Sequence, residues 1–420
     1  MIMERIHLFG IWFLPILLSL PAEAQLQLSA CQEKARANYP LIRQLALIEK
    51  TAEYNISNAN KGYLPQLSIT AIEGYLISGL PAFVPGGSTD NGTFKLIGLG
   101  QLSQTIWDGG ATKTQKDIVH SNTEVERANI EVTLYSIRER VNQLFFGILM
   151  VNEQINQMKL VKDNLQRNLA KIEQSAENGL AYKSDADEVR VEIIKVDQRN
   201  DEFLFTRKAY VVMMSLMIGE PLRDDVQLER PPMEELGTTV TITRPELTLY
   251  EYQRQLAQQQ DKQSKVGYMP KIGFLALGIR LAPGTKLGAG SLESLSIAGL
   301  NLSWNTSGLY RDRNTRQITQ ISLQRIQNQQ ETFLFNTNLQ LAQVQQDLEK
   351  QKSILGKDSE ILRLRNSIRN AYELKYQNGI CSVNDLVAAV NAESEAGSNK
   401  SLHELQLLMS VYQYKNVSGN

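Results

Sequence analysis

Apolar residues recur every seven positions between Ala111 and Glu177, in two registers. One reads Ile130, Ile137, Leu144, Val151, Met158, Leu165, Ile172; the other reads Leu134, Val141, Ile148, Ile155 and Leu169, with Lys162 as its only break. The stretch holds no proline and a single glycine, Gly147. A paired seven-residue repeat kept this long predicts a helix packed on other helices with a left-handed supercoil. Such a helix is roughly 100 Å long at ~1.5 Å per residue. Lys162 can carry its ammonium out to solvent along its aliphatic stem or pair across helices; the first is expected. The second register recurs 200 residues on as Leu334, Leu341, Leu348, Leu355 and Leu362.

That recurrence is part of a duplication. Pro40 and Gly62 answer Pro245 and Gly267; Gly62-Tyr63-Leu64-Pro65 answers Gly267-Tyr268-Met269-Pro270; Trp107-Asp108 answers Trp304-Asn305; and Asn178-Gly179 answers Asn378-Gly379. A repeat of this kind fixes the architecture. Residues 25–217 form a first repeat, 218–243 a linker with Pro221, Pro231 and Pro232, and 244–420 a second repeat. Each repeat reads as helix, two strands, long helix and return helix. The first has strands within 66–107, a long helix over 111–177 and a return helix over 184–217. The second has strands within 271–304, a long helix over 310–377 and a return helix over 384–415. Pro40 is expected to interrupt the opening helix, and Gly62 with Pro65 to end it.

The strand stretches alternate. Leu275, Leu277, Ile279 and Leu281 interleave with Ala276, Gly278 and Arg280, and Leu300, Leu302 and Trp304 with Asn301 and Ser303. We expect one apolar face on a four-stranded sheet. Leu80–Gly92 and Ala282–Gly290 read as Gly/Pro loops. Helix ends are marked by Asn178-Gly179 and Asn378-Gly379, where glycine supplies the left-handed cap conformation. Helix starts are marked by Ser184 with Asp187, Thr243 with Glu246, and Ser382 with Asp385.

Composition narrows the class. All 12 prolines leave two tracts, 86–220 and 284–420, free of that residue, a second argument for long helices. Lys and Arg number 44 against 45 Asp and Glu, so no basic stripe points to nucleic acid. Arg5, the apolar run Ile6–Leu20 and Ala22-Glu23-Ala24 read as a secretory leader over residues 1–24. Leu28-Ser29-Ala30-Cys31 fits a lipid-attachment box, but Glu23, Gln25 and Gln27 separate it from the apolar run. We read Ser29 and Gln32 there as a capping box. The only cysteines, Cys31 and Cys381, fall in distant regions and are expected to be free. Ala209–Ile218 is too short to cross a membrane as a helix. His120 and His403 stand alone, without metal spacing, and no phosphate loop, nucleophile elbow or catalytic carboxylate pair is found; no enzyme activity, cofactor or metal is implied.

Four strands of about ten residues match the length of a membrane β-strand. An open sheet cannot sit in lipid with its edges unpaired. Three copies give twelve strands and a closed barrel; two copies give eight, too narrow for a pore.

At this point the residues resemble the TolC-type outer membrane efflux proteins. The motifs are N-Y-P at Asn38–Pro40, G-Y-L-P at Gly62–Pro65, Q-T-I-W-D-G-G at Gln104–Gly110 and N-G-I-C-S-V-N-D-L at Asn378–Leu386. The resemblance covers Leu28 to the C-terminus. It implies an α+β membrane protein: a homotrimer with a twelve-stranded β-barrel continued by a long α-helical coiled-coil barrel. It implies a passive conduit in the bacterial outer membrane extending into the periplasm. A periplasmic adaptor and an inner-membrane pump would serve it, in a tripartite efflux or type I secretion system. It further implies a gate at the helix-turn tips. Asp385 matches an aspartate that narrows the entrance and binds cations, Asp187 is its counterpart in the first repeat, and Tyr376 matches a tyrosine that helps hold the tip shut. Ala388 stands where a second aspartate is common, and Cys381 where a constraining arginine can stand. Trp107 and Trp304, at strand ends, are placed as membrane-interface aromatics. The alternative is a periplasmic coiled-coil adaptor without a barrel, which would show one helical hairpin between small β-domains.

Overall fold

The computed structural model describes residues 25–75, 94–178, 182–233, 241–281, 294–378 and 380–420. The expected leader, both Gly/Pro loops, Gly179 and Gly379 lie outside them. The chain runs α1 (Leu28–Asn38), α2 (Ile42–Lys61), β1 (Gln66–Tyr75), β2 (Phe94–Trp107), α3 (Ala111–Glu177) and α4 (Lys183–Ile218). It continues with α5 (Pro245–Val266), β3 (Lys271–Leu281), β4 (Ser294–Ser303), α6 (Ser307–Gln377) and α7 (Val383–Ser418). Pro40 falls in the break between α1 and α2. The helix–hairpin–long helix–return helix order occurs twice, and α3 and α6 run 67 and 71 residues.

The residues divide into two compact units. One comprises Gln143–Met233, Leu364–Leu405 and the start of the chain through Lys34; the other comprises Ala35–Asn142, Glu234–Arg363 and Gln406–Asn420. Both long helices contribute to both.

In the first unit, Leu144, Val151 and Ile172 of one register and Ile148 and Ile155 of the other are buried, with Phe145 and Phe146 wholly enclosed between them. Gly147 faces α4: a Cβ there would lie 3.0 Å from the Tyr210 ring, so the lone glycine permits close approach. Lys162 reaches the half-exposed surface and pairs across helices there: its Nζ lies 2.6 Å from Asp197 Oδ1 on α4. Cys31 is buried within α1, its amide donating to the Gln27 carbonyl at 3.1 Å. Ser29 is therefore inside the helix and does not begin it. Burial pushes the Cys31 thiol up to about 11, with Lys34 opposing and Glu220 adding to the shift. Both cysteines are free, as expected.

In the second unit, Ile130, Leu134, Ile137 and Val141 continue the buried registers of α3, and Val344, Leu348, Leu407 and Val411 form a core where α6 packs on α7. Arg244 ties this unit together. Its guanidinium lies 4.8 Å from the Tyr135 ring on α3 and 5.7 Å from the Phe333 ring on α6, and pairs with Glu246. Tyr135 Oη donates to the Asn416 carbonyl at 2.7 Å. The capping box expected at Thr243 and Glu246 is not formed. Thr243 Oγ1 donates to the Gly419 carbonyl at 2.8 Å, Glu246 is taken by Arg244, and Pro245 opens α5 without a side-chain cap.

The four strands form one antiparallel sheet in the order β1-β2-β3-β4, so β2 and β3 join the two repeats. Cross-strand partners share a face, and the registers set the two faces. The first carries Leu67 and Ile69 of β1, Gly100 and Leu102 of β2, Phe274 and Ala276 of β3, and Ala298 and Leu300 of β4. The second carries Ser68 and Thr70, Leu99 and Gln101, Leu277 and Ile279, and Leu295 and Ile297. The single apolar face expected from alternation is thus corrected. Leu275 pairs with Gly299 and Leu300 with Phe274, so the apolar rows of β3 and β4 largely occupy opposite faces.

Replacing Phe146 by alanine is expected to cost about 3–5 kcal/mol, as for other enclosed aromatics. A denaturant titration that shows less than a third of that loss would remove Phe146 from the core.

Candidate functional site

Two regions carry the residues singled out by sequence: the helix-turn tips, in the first unit, and the strand–helix junctions, in the second.

At the tips, α3 and α6 end alike. Asn178 Nδ2 donates to the Gln174 carbonyl at 2.8 Å, and Asn378 Nδ2 to the Leu374 carbonyl at 2.8 Å. Each asparagine supplies a donor to a carbonyl the helix end leaves free. Ser382 and Asp385 form the reciprocal capping box on α7. The Ser382 amide donates to Asp385 Oδ2 at 3.0 Å, and the Asp385 amide donates to Ser382 Oγ at 3.2 Å. Hydrogen bonds from Ser382 hold the exposed Asp385 carboxyl below the usual carboxylate range. Asp187 Oδ1 lies 2.6 Å from Arg190, which also reaches Glu173 on α3 at 2.6 Å. Asp187 therefore belongs to an interhelical ion-pair group, and Asp385 to a cap.

Tyr376 sits under Lys171 of α3, with Nζ 5.6 Å from the ring centre, linking the two long helices. The Cys381 thiol donates to the Tyr372 carbonyl at 3.6 Å, folding the turn back on α6. Lys171 was not marked by the sequence reading; it is one of several exposed lysines on α3, and only tertiary packing sets it over the ring.

The strand–helix junctions are built twice from the same parts. Asp108 is 6% exposed and caps α3: its carboxylate accepts from the Gly110 amide at 2.9 Å and the Thr112 amide at 2.6 Å. Burial favours the neutral acid, but hydrogen bonds from Thr112, Tyr63 and Gly110 outweigh it and lower the Asp108 pKa. Gly109 and Gly110 have φ of 69° and 94°, and a Cβ on Gly109 would overlap Met269 at 2.5 Å. Asn305 repeats the cap 197 residues later, accepting from the Ser307 amide at 3.0 Å. Tyr268 Oη donates to Asp312 Oδ1 at 3.1 Å, the second repeat's counterpart of the Tyr63–Asp108 bond. The tyrosines of G-Y-L-P and G-Y-M-P are thus bolts between the incoming helix and the head of the long helix. The caps are legible in the sequence as Asp-Gly-Gly and Asn-x-Ser. Trp107 and Trp304 are 45% and 62% exposed at the ends of β2 and β4. Trp304 Nε1 donates to the Tyr268 carbonyl at 3.0 Å.

No protein-family model and no curated protein sequence matches the chain. Solved structures do. CusC, studied for its folding and transmembrane channel formation, superposes with a TM-score of 0.66 at 13% identity, over 94% of this chain and 93% of that one. The Campylobacter jejuni CmeC outer membrane channel gives 0.65 at 12% identity, over 93% and 85%. The chain has the outer membrane channel fold. The outer membrane protein VceC of Vibrio cholerae shares the channel fold too, at a TM-score of 0.63 and 13% identity, over 91% and 94%. At such identities the likeness rests on the two hairpins, the two long helices and their return helices, not on shared side chains.

Asp108→Ala is expected to cost about 1 kcal/mol for the lost cap. Because the folded pKa lies below the unfolded one, the stabilisation by Asp108 is present above roughly pH 4 and disappears as pH falls through the folded value. The gap between wild type and Asp108→Asn in thermal melts should therefore narrow on acidification; a gap that widens contradicts the assignment.

Proposed function

We propose that the chain is one protomer of a homotrimeric outer membrane channel, a passive conduit reaching from the outer membrane into the periplasm. A single observation carries this reading. β1 and β4 each pair on one side only among the described residues, so the sheet ends in two open edges. Leu67, Ile69, Leu300 and Leu302 on that sheet are exposed, as only a lipid-facing or partner-covered surface allows. Three copies joined β4 to β1 satisfy every edge and give a twelve-stranded barrel. The channel fold of the proteins named above supports the same assembly, and fits a role without enzymatic chemistry. A coiled-coil adaptor would have one helical hairpin between small β-domains, whereas this chain has two hairpins on one sheet.

α4 and α6 add to the argument. Phe205 and Leu216 on α4, and Ile318, Phe335 and Leu339 on α6, are large apolar side chains left exposed on one copy. Neighbouring protomers would cover them and continue the barrel in helices. Residues 25–217 and 244–420 would each supply two staves and one helical hairpin, with 218–243 between them. Trp107 and Trp304 would sit at the membrane–water boundary, each with an apolar ring and one polar N–H.

The tips are the proposed gate. Asp385 would present three carboxylates around the threefold axis, and the Lys171–Tyr376 and Arg190–Glu173 contacts would hold the hairpins together around it. The transport energy would come from an inner-membrane pump coupled through a periplasmic adaptor, in tripartite efflux or type I secretion, since no energy-coupling site is present among the motifs.

Purified in detergent, the protein should run as a trimer by light scattering and produce uniform conductance steps in planar bilayers; a water-soluble monomer would end the reading. Asp385→Ala should weaken block of that conductance by divalent cations severalfold, whereas unchanged block would leave Asp385 as a helix cap alone.

A further inference from the structure

The sheet's two faces are not one apolar and one polar. On the face of Leu67 and Leu300, apolar and small residues run from Ile272 and Leu302, next to the helices, to Ile69, Gly100 and Gly278. Its polar side chains are Gln104, beside Phe274 near the helices, and Glu73, Arg280, Ser294 and Ser296 toward the other end. The opposite face is divided across its middle. The half nearer the helices carries Gln66, Ser103, Asn301 and Ser303 beside Leu275; the far half carries Ile97, Leu99, Leu277, Ile279, Leu295 and Ile297, with Gln101 and Ser68 completing the Leu277–Ile297 row and Thr70 the next. Ile297 and Leu300 are 65% and 79% exposed, on opposite faces three residues apart.

Only the first face offers acyl chains an apolar surface through its middle, from Leu67 and Leu102 to Ala298 and Leu300. Turning the second outward would press its glutamine, serine and asparagine side chains into hydrocarbon without partners. The second face therefore lines the lumen, on the trimeric-barrel reading above. Its far half then places the six apolar residues of each protomer inside the channel, together with Ile72.

We infer that the outer half of the lumen is an apolar collar, and that it selects for solutes with apolar surface over hydrated ions. Such solutes bury surface against Leu277, Ile297 and their symmetry copies on the way out. Small hydrated ions gain nothing there and pass a poorly solvating ring. The polar half below, with Gln66, Ser103 and Asn301, stays wetted. Cargo would leave a hydrated vestibule, cross an apolar collar and emerge outside.

The test uses the full-length trimer in phosphatidylcholine vesicles, with Cys31 and Cys381 replaced by serine. Ile297→Cys and Leu300→Cys are labelled separately with a polarity-sensitive fluorophore, and brominated acyl chains serve as quencher. The label at position 300 should be quenched and the label at 297 spared. Quenching at 297 with 300 spared, or equal quenching at both, overturns the collar. In planar bilayers, tetraphenylphosphonium should block the wild-type channel more strongly than tetramethylammonium. Ile297→Ser should weaken the tetraphenylphosphonium block on the order of tenfold, the effect of losing one apolar contact of this size. Block unchanged by Ile297→Ser also overturns the proposal. Failure to form any conductance overturns the channel reading and the collar with it, whereas a working channel with reversed quenching overturns the collar alone.

Discussion

Backbone N–H and C=O groups have no water to bond in hydrocarbon, so a membrane-spanning sheet must leave none of them open. Four strands in the order β1-β2-β3-β4 satisfy three ladders and leave two edges. The proposed trimer, the closure into a barrel and the separation of a lipid face from a lumen face all follow from that shortage. The internal duplication makes the same point at a smaller scale. Each repeat supplies a hairpin, and the β2–β3 ladder joins them into one sheet before any second chain is needed.

The junctions between sheet and helices show how a chain changes period without leaving polar groups stranded. β2 ends with a register shift between Thr105 and Trp107, and Asp108 then gathers the first amides of α3. Asn305 does the same for α6. Tyr63 and Tyr268 clamp these heads to the helices that enter the sheet. The two repeats differ as aspartate and asparagine, yet each side chain caps its long helix: Asp108 accepts from the Gly110 and Thr112 amides, and Asn305 from the Ser307 amide.

At the tips the two aspartates have different charged neighbours. The asparagines that close α3 and α6 act identically, but Asp385 closes a capping box while Asp187 joins Arg190 and Glu173. A carboxylate held by its own helix start remains exposed, whereas one held by an arginine is partly neutralised. That asymmetry is the physical basis for assigning the proposed gate to Asp385 before Asp187.

The long helices, their ends and the doubled element order were legible in the sequence, because heptad spacing, proline-free tracts and Asn-Gly stops act locally. The capping box at Ser382 and Asp385 was legible for the same reason. The one at Thr243 was not, since the C-terminal segment supplies the carbonyl that takes its hydroxyl. Lys162 looked like a residue bound for water until α4 brought Asp197 within reach. Alternation in β3 and in β4 was correct strand by strand, yet it could not say whether their apolar rows coincide. Register alone decides that: a shift of one residue exchanges the faces, and register is set by pairing between segments that carry no local record of each other.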